Sequence, residues 1–174
     1  MKEELNRIKE LMGIIIESSE EEAWELVCQE NSVISKIVSN AGYNNDEESV
    51  KKLIPIIDGL PEKEFTYEDI KNFKNLENKT NDKGLVNLMK KISNTKNPRK
   101  QYEIFMKKRD TGEKRNRGYD PVKNFDRIIS GNYEPPLVLQ VGGKYYVVGG
   151  RTRLYASIAS NTPIKIKILK TDYL

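Results

Sequence analysis

The sequence predicts an α+β protein in which a helical N-terminal region precedes a small mixed sheet. Three observations support this fold class. Apolar residues recur every three or four positions through the first two thirds of the chain. Two strand-like stretches, "LVLQV" and "KYYVV", then flank a glycine pair, and "IKIKIL" near the C-terminus alternates apolar residues with lysine. We therefore expect a helical region over 1–108, a basic flexible loop over 109–120 and a sheet unit over 121–174.

The helical region should contain several amphipathic helices. The first is predicted over 1–17, where apolar residues at positions 5, 8, 11, 12, 15 and 16 form one face that should dock on the protein's own core or on a partner. Capping patterns at Ser19, Asp46 and Thr66 predict further helices, and the last of these should continue through Phe73 and Leu76. Two more helices are predicted around 85–92 and 102–106.

The next segment, 109–121, is charged and carries no large apolar residue before Tyr119, so we expect a mobile loop. Asp120 and Pro121 are typical of a helix start, and Gly131 is typical of its end. This helix should be short.

The sheet unit begins with a predicted hairpin. Gly142 and Gly143 separate its two strands, and glycine tolerates the positive φ angles of a two-residue turn. A helix follows over "RLYASIAS", with Asn161 as its left-handed cap, and "IKIKIL" forms the last strand. The order strand, helix, strand predicts a right-handed crossover that returns to the same sheet.

Composition limits the chemistry that the chain can perform. It contains 174 residues, no histidine, and one cysteine, Cys28. Intrachain disulfides, cysteine-cluster metal sites and serine–histidine triads are therefore excluded. No apolar stretch approaches the length of about 18 residues that a membrane helix needs, and the N-terminus lacks a signal-type apolar run. We expect a cytoplasmic protein without a membrane partner.

The net charge of +4 conceals two different halves. Residues 1–70 hold 7 Lys/Arg and 17 Asp/Glu, whereas residues 71–174 hold 23 Lys/Arg and 9 Asp/Glu. Such a basic half favours a polyanionic partner, a nucleotide or a nucleic acid. Arg115 and Arg117 in the basic loop are the residues expected to contact nucleic acid. A lysine-rich solvated surface is the alternative.

The stretch "GGRTR" lies where the second hairpin strand turns into a helix. Free backbone N–H groups at a helix start attract anions, and guanidinium groups match phosphate oxygens two at a time. The candidate phosphate-binding residues, which we call the box, are Gly149, Gly150, Arg151, Thr152 and Arg153. The glycines would form the turn and admit a phosphate, and the Thr152 hydroxyl would cap the helix. Arg151 and Arg153 could converge only if Arg151 belongs to the turn, because two residues of a continuous helix diverge by about 200°. The alternative is a tight turn with exposed arginines at its rim.

The stretch "EPPLVLQVGGKYYVVGGRTRLYASIASNTPIKIKIL" resembles the core of the ParB/sulfiredoxin-like superfamily, and "VKNFDRIISGNYEPP" resembles the short helix before that core. The resemblance covers about 121–170. It implies that the box binds nucleotide phosphates, with ATP or CTP and magnesium as the ligand. Members of the superfamily include DNA-partition clamps that hydrolyse CTP, sulfinic-acid reductases, serine kinases and proposed nucleases.

The sequence also departs from these relatives. Sulfiredoxins carry Gly-Gly-Cys-His-Arg, but Arg151 and Thr152 replace the cysteine and histidine here, which excludes the reductase reaction. Partition proteins carry Gly-Glu-Arg-Arg, which the box does not match. The carboxylates near the box are Asp120, Asp126 and Glu134. Glu134 is the candidate catalytic base or magnesium ligand, and an ordinary solvated glutamate is the alternative.

Two functions from different classes follow. The first is a ParB-like protein that binds the phosphates of a nucleotide or nucleic acid. If it is an enzyme, it is a nucleotide hydrolase, phosphotransferase or nuclease. The second is a non-catalytic interaction protein of a bacteriophage or mobile element, which binds DNA or a protein partner. The predicted helix over 1–17 resembles the leader helices of tailed-phage proteins, which act as packaging or docking signals.

Overall fold

The computed structural model describes residues 55–76, 79–109 and 120–170. Within these ranges a helical turn over 55–58 precedes ten elements. They are β1 (Glu62–Phe65), α1 (Tyr67–Ile70), β2 (Lys74–Asn75), α2 (Lys83–Ser93), α3 (Pro98–Arg109), α4 (Pro121–Ser130), β3 (Leu137–Val141), β4 (Lys144–Gly149), α5 (Arg151–Ser160) and β5 (Ile164–Lys170). The helix predicted over 1–17, the capping patterns at Ser19 and Asp46, and Cys28 lie outside the described residues.

The predicted α+β class is confirmed. The described strands form one mixed five-stranded sheet in the order β1-β5-β3-β4-β2. β3 pairs antiparallel with β4 and parallel with β5, and the outer strands β1 and β2 pair antiparallel with β5 and parallel with β4 respectively. The sheet therefore brings together strands from both sides of the predicted basic loop.

The β3–β4 hairpin forms where the sequence predicts it. Val141 pairs with Lys144 across the turn, and Gly142 and Gly143 have φ angles of 54° and 72°. These values lie in the left-handed region, which glycine enters without the penalty that a Cβ atom brings.

The last strand returns to the same sheet, but not as a parallel crossover. β5 lies beside β3 and parallel to it, so it runs antiparallel to β4, the strand that α5 follows. The right-handedness rule concerns two parallel strands joined by a helix, and it does not govern this connection.

The prediction of an entirely helical stretch before residue 108 is wrong in two places. Residues Glu62–Phe65 and Lys74–Asn75 are strands, and the helix that starts after Thr66 ends at Ile70 rather than continuing through Phe73. Its start was predicted well, since the Asp69 carboxylate accepts a hydrogen bond from the Thr66 backbone N–H at 2.9 Å. Phe73 is buried in the core without being helical, which shows that its apolar character reflects burial and not helix periodicity.

The other local signals are confirmed. The predicted helices around 85–92 and 102–106 are α2 and α3. α4 starts at Asp120, whose side chain accepts from the Val122 N–H at 3.0 Å, and ends at Gly131 in the left-handed conformation. α5 ends at Asn161, also left-handed with φ of 53°.

Alternate residues along the strands belong to two different apolar clusters. Val138, Val147 and Ile166 belong to the larger cluster, which α2, α3, α4 and α5 complete, whereas Leu139 and Tyr146 belong to a smaller one. Because successive side chains of a strand point to opposite faces, these clusters lie on opposite sides of the sheet. The larger cluster contains residues from before 109 and after 120, and it positions the start of α5 against α3 and α4.

Candidate phosphate-binding site

The turn between β4 and α5 depends on Gly150. This residue is the N-cap of α5 and has φ of 86° and ψ of 23°. Its carbonyl oxygen accepts from the N–H groups of Arg153 and Leu154 at 2.9 and 3.2 Å, which starts the helical hydrogen bonding. A Cβ atom on Gly150 would lie 2.8 Å from the Pro136 Cβ. Glycine is therefore required by the positive φ and by the packed proline, rather than by a close phosphate as the sequence suggests.

Gly149 differs from its neighbour. A Cβ atom placed on Gly149 would meet nothing within 4 Å. Open space therefore lies beside this residue, on the side where a ligand could approach the end of β4.

Thr152 does not cap the helix, so the predicted role of its hydroxyl is wrong. It lies inside α5, and Gly150 makes no side-chain cap bond. The Thr152 hydroxyl instead accepts from the Asn124 side-chain amide at 3.3 Å, and its carbonyl accepts from the Tyr102 hydroxyl at 3.3 Å. Thr152 thus ties the first turn of α5 to α3 and α4.

The two arginines of the box diverge. Arg151 is the first residue of α5, so it belongs to the helix and not to the turn that convergence would require. Its side chain is exposed and lines a small cavity beside Tyr155. Arg153 points elsewhere: one of its terminal nitrogens donates to the backbone carbonyl of Glu134, and its side chain is only 24% exposed. Arg151 is therefore open to solvent, whereas Arg153 is largely covered.

Arg153 lines a polar cleft of about 290 Å³, which we call the Arg153 cleft. Its lining residues come from α4, the segment before β3 and the first turn of α5: Asn124, Arg127, Tyr133, Glu134, Thr152 and Arg153. The cleft therefore holds two guanidinium groups, an amide, two hydroxyls and one carboxylate. Such a donor set suits an anion with several oxygen atoms.

Arg127 was missed by the sequence reasoning. It lies in the last turn of α4 and is exposed. Asn124 and Arg127 are three positions apart on a helix, so they share a face, and that spacing was the available signal. The spacing does not predict that this face lies near the start of α5. That arrangement depends on the core, in which α4 packs against α5.

The electrostatics of the cleft favour an anion. Burial lowers the pKa of Arg153, the Glu134 carboxylate opposes that effect, and Arg127 adds to it through charge repulsion. An anion placed between the two guanidinium groups would relieve that repulsion. The Glu134 carboxylate lies 3.9 Å from the nearest Arg153 nitrogen, and its effect on the Arg153 pKa exceeds that of Arg127. It is 83% exposed, so water also solvates it.

A second basic group, which we call the Arg151 cluster, lies on the other side of the α5 start. It consists of Arg109, Arg151, Tyr155 and Asp82. The Arg109 guanidinium carbon lies 5.3 Å from the centre of the Tyr155 ring, and Arg151 lines the small cavity that Asp82 and Tyr155 also line. The Tyr155 hydroxyl donates to the Asp82 carboxylate at 2.6 Å, and burial, reinforced by this bond, raises the pKa of Tyr155.

The other predictions concern the nucleic-acid-binding arginines, a metal site and a membrane partner. Arg115 and Arg117 lie outside the described residues. Among the residues that the structure describes, no group of three or more Asp, Glu, Cys or His side chains could hold a metal ion. In the same ranges, none of the helices is long and apolar enough to cross a membrane.

Comparison with known proteins adds no relative. No protein-family model matches the chain, and neither a curated protein nor a solved structure matches it. The resemblance to the ParB/sulfiredoxin-like superfamily therefore stays a prediction made from the order of the strands and the box.

Proposed function

We propose that this protein binds the phosphate groups of a nucleotide or nucleic acid in the Arg153 cleft. The observation that carries the proposal is that Arg127 and Arg153 line one polar cleft, and that Glu134, the one carboxylate among its described lining residues, is mostly exposed. Guanidinium groups and phosphate form charge-assisted hydrogen bonds, often in pairs. The ParB-like order of hairpin, box and helix supports the same ligand class.

The bond from Arg153 to the Glu134 carbonyl is compatible with this role. An arginine carries five N–H donors, so one bond to a backbone carbonyl leaves donors for a phosphate. That bond also holds the guanidinium against the segment before β3. A fixed guanidinium loses less conformational entropy when it binds its ligand.

A magnesium nucleotide could bind in this cleft with its ion at the carboxylate and its phosphates at the arginines. Mg²⁺ is usually held by one or two carboxylates together with substrate phosphates and water. Glu134 is the carboxylate that lines the cleft, and Arg127, Arg153 and Thr152 would contact the phosphate oxygens. When bound, the ion would neutralise phosphate charge. If Glu134 did not hold the ion, its carboxylate could instead accept a proton from the water or hydroxyl group that attacks the phosphate.

The alternative, binding without turnover by an interaction protein, is favoured by the exposure of Glu134. Carboxylates that act as general bases usually lie in sites that exclude water, and the Glu134 side chain is 83% exposed. We therefore propose phosphate binding as the function and treat hydrolysis or phosphotransfer as the activity to be tested.

The test is a set of binding measurements on the full chain with pyrophosphate, ATP and CTP, each with and without magnesium. A ligand at 100 times its Kd should stabilise the folded protein by about 2.7 kcal/mol, which a melting experiment detects. Arg127→Ala should weaken pyrophosphate binding about tenfold or more. If neither nucleotide nor pyrophosphate raises the melting temperature, or if Arg127→Ala binds like the wild type, the proposed site is wrong.

Glu134→Gln separates the two roles of the carboxylate. If Glu134 only opposes the anion, the variant should bind pyrophosphate more tightly, with or without magnesium. If it holds magnesium, the variant should lose the part of the affinity that depends on magnesium. Phosphate release from ATP or CTP that disappears in Glu134→Gln would establish turnover, and its absence in the wild type would favour the interaction protein.

A further inference from the structure

The two arginines of the box serve different sides of one helix start. Arg153 lines the cleft shared with Arg127, and Arg151 belongs to the cluster around Tyr155. Two residues apart on a helix, their side chains leave in directions that differ by about 200°, and a helix with its side chains is about 10–12 Å wide. A single phosphate cannot contact both groups in this arrangement.

The Arg151 cluster has basic groups that no carboxylate of residues 55–76, 79–109 and 120–170 neutralises by an ion pair. Neither Arg109 nor Arg151 forms an ion pair with a carboxylate of the described residues. The nearby carboxylate of Asp82 already accepts from the Tyr155 hydroxyl and, at 3.4 Å, from the Leu85 N–H. Both arginines are exposed with respect to the described part of the chain, so an external anion could contact them.

Further basic residues lie beside this cluster. Arg109 is the last residue of α3, whose final turn also contains Lys107 and Lys108. Lys108 is exposed, whereas Lys107 pairs with Glu103. The end of α3 therefore adds one exposed positive charge, that of Lys108, next to Arg109.

We propose that the ligand is a nucleic-acid strand that crosses the start of α5, with one phosphate in the Arg153 cleft and another at the Arg151 cluster. This inference rests on the proposed function and names its ligand class. The directly linked phosphates of one nucleotide are too close together to reach both sides of a helix. Phosphates two or more nucleotides apart along a strand are separated by several sugars and can do so. The backbone contacts would be independent of sequence.

The experiment compares a short anion with a strand. Pyrophosphate is the short probe, and labelled single strands of dT and of rU are the long ones. Each strand is about 15 nucleotides long, because single-strand-binding domains cover roughly 4–16 nucleotides. Arg151→Ala and Arg153→Ala are the test variants. Lys91→Ala is the matched control, because it removes one exposed positive charge on α2, about 13 Å along the helix axis from Asp82.

We expect Arg151→Ala to weaken strand binding about tenfold, to reduce the dependence of log Kd on log salt by about 0.7, and to leave pyrophosphate affinity unchanged. Arg153→Ala should weaken both ligands, and Lys91→Ala should change neither. Binding of either strand supports the proposal, and the tighter of dT and rU identifies whether DNA or RNA is the natural source.

Three results would overturn the inference while the proposed function stands. In the first, Arg151→Ala loses as much affinity for pyrophosphate as for the strand. In the second, Arg151→Ala and Lys91→Ala lose equal affinity for the strand. In the third, strand binding is undetectable at low salt although pyrophosphate binds. A different result would remove the proposed function itself, namely that Arg153→Ala binds pyrophosphate as tightly as the wild type. Melting temperatures of each variant confirm that it is folded.

Discussion

Replacing Arg153 with alanine separates a ligand-binding role from a structural one. The side chain is 24% exposed and donates to the carbonyl of Glu134. A hydrogen bond from a charged group contributes about 1.5–3 kcal/mol, and its loss costs most where the partner is left buried. Glu134 is exposed, so water can replace the lost donor. We therefore expect Arg153→Ala to lower the free energy of unfolding by about 1.5 kcal/mol, at the low end of that range.

The effect on binding should be larger. Each charge-assisted bond to phosphate contributes about 1.5–3 kcal/mol, so the affinity for pyrophosphate should fall about 10- to 100-fold. Arg153→Lys should fall between alanine and the wild type, since lysine keeps the charge but lacks the planar fork that matches phosphate oxygens.

The assay measures two quantities on the same preparations. Calorimetric titration with pyrophosphate gives the affinity, and urea unfolding gives the stability, for the wild type, Arg153→Ala, Arg153→Lys and the Lys91→Ala control. A stability loss of about 3 kcal/mol or more, comparable to breaking a buried charge network, together with unchanged affinity would refute the reasoning. Arg153 would then be a structural element that fixes the segment before β3.

Two further predictions concern stability. Gly150→Ala should destabilise the fold by about 1–3 kcal/mol, because the added methyl group would have to accept a φ of 86° and would lie 2.8 Å from Pro136. Gly149→Ala should change the unfolding midpoint little, and equal losses of stability in the two variants would contradict this account. The bidentate bond from Arg99 lowers the pKa of Asp126 below 3.8. The contribution of this pair to the free energy of unfolding should therefore be present above pH 4 and be lost as the pH falls through the folded pKa. Its amplitude should be small, because both side chains are about half exposed. Acid unfolding curves of Asp126→Asn and the wild type should therefore converge at low pH, and a constant difference would refute the assignment.

Features encoded by neighbouring residues were predictable. The hairpin needs only two glycines between strand-like stretches, and α4 needs only Asp120 and Gly131 at its ends. In each case the signal and the structure that it specifies lie within a few positions of each other. Such local preferences act before tertiary contacts are considered.

β1 was not predictable in the same way. Its sequence "EKEF" is mostly charged, and three of its four residues are exposed. The strand exists because it pairs with β5, where Glu62 lies opposite Lys167 and Glu64 opposite Lys165. The Lys167 ammonium lies 3.1 Å from the Asp58 carboxylate rather than on Glu62, so the strand is held by its main-chain pairing with β5 and by the burial of Phe65. The complementary signal is thus divided between two segments about a hundred residues apart.

The candidate site shows the same division. The divergence of Arg151 and Arg153 depends on whether α5 starts one residue earlier or later, and helix boundaries are the feature that sequence patterns define least well. The pairing of Arg153 with Arg127 depends on how α4 packs against α5. Neither fact follows from the box alone, although both determine which side chains can meet one phosphate.

The box consequently combines two kinds of residue that a motif does not distinguish. Gly150 and Thr152 maintain the fold, since one packs against Pro136 and the other bonds to Asn124. Arg151 makes no such contact with a described side chain, and Arg153 both supports the segment before β3 and lines the cleft. Loss of binding after substitution of the glycine or the threonine would therefore say little about the ligand. Loss after substitution of Arg151 is informative, because removal of an exposed side chain should leave the fold intact.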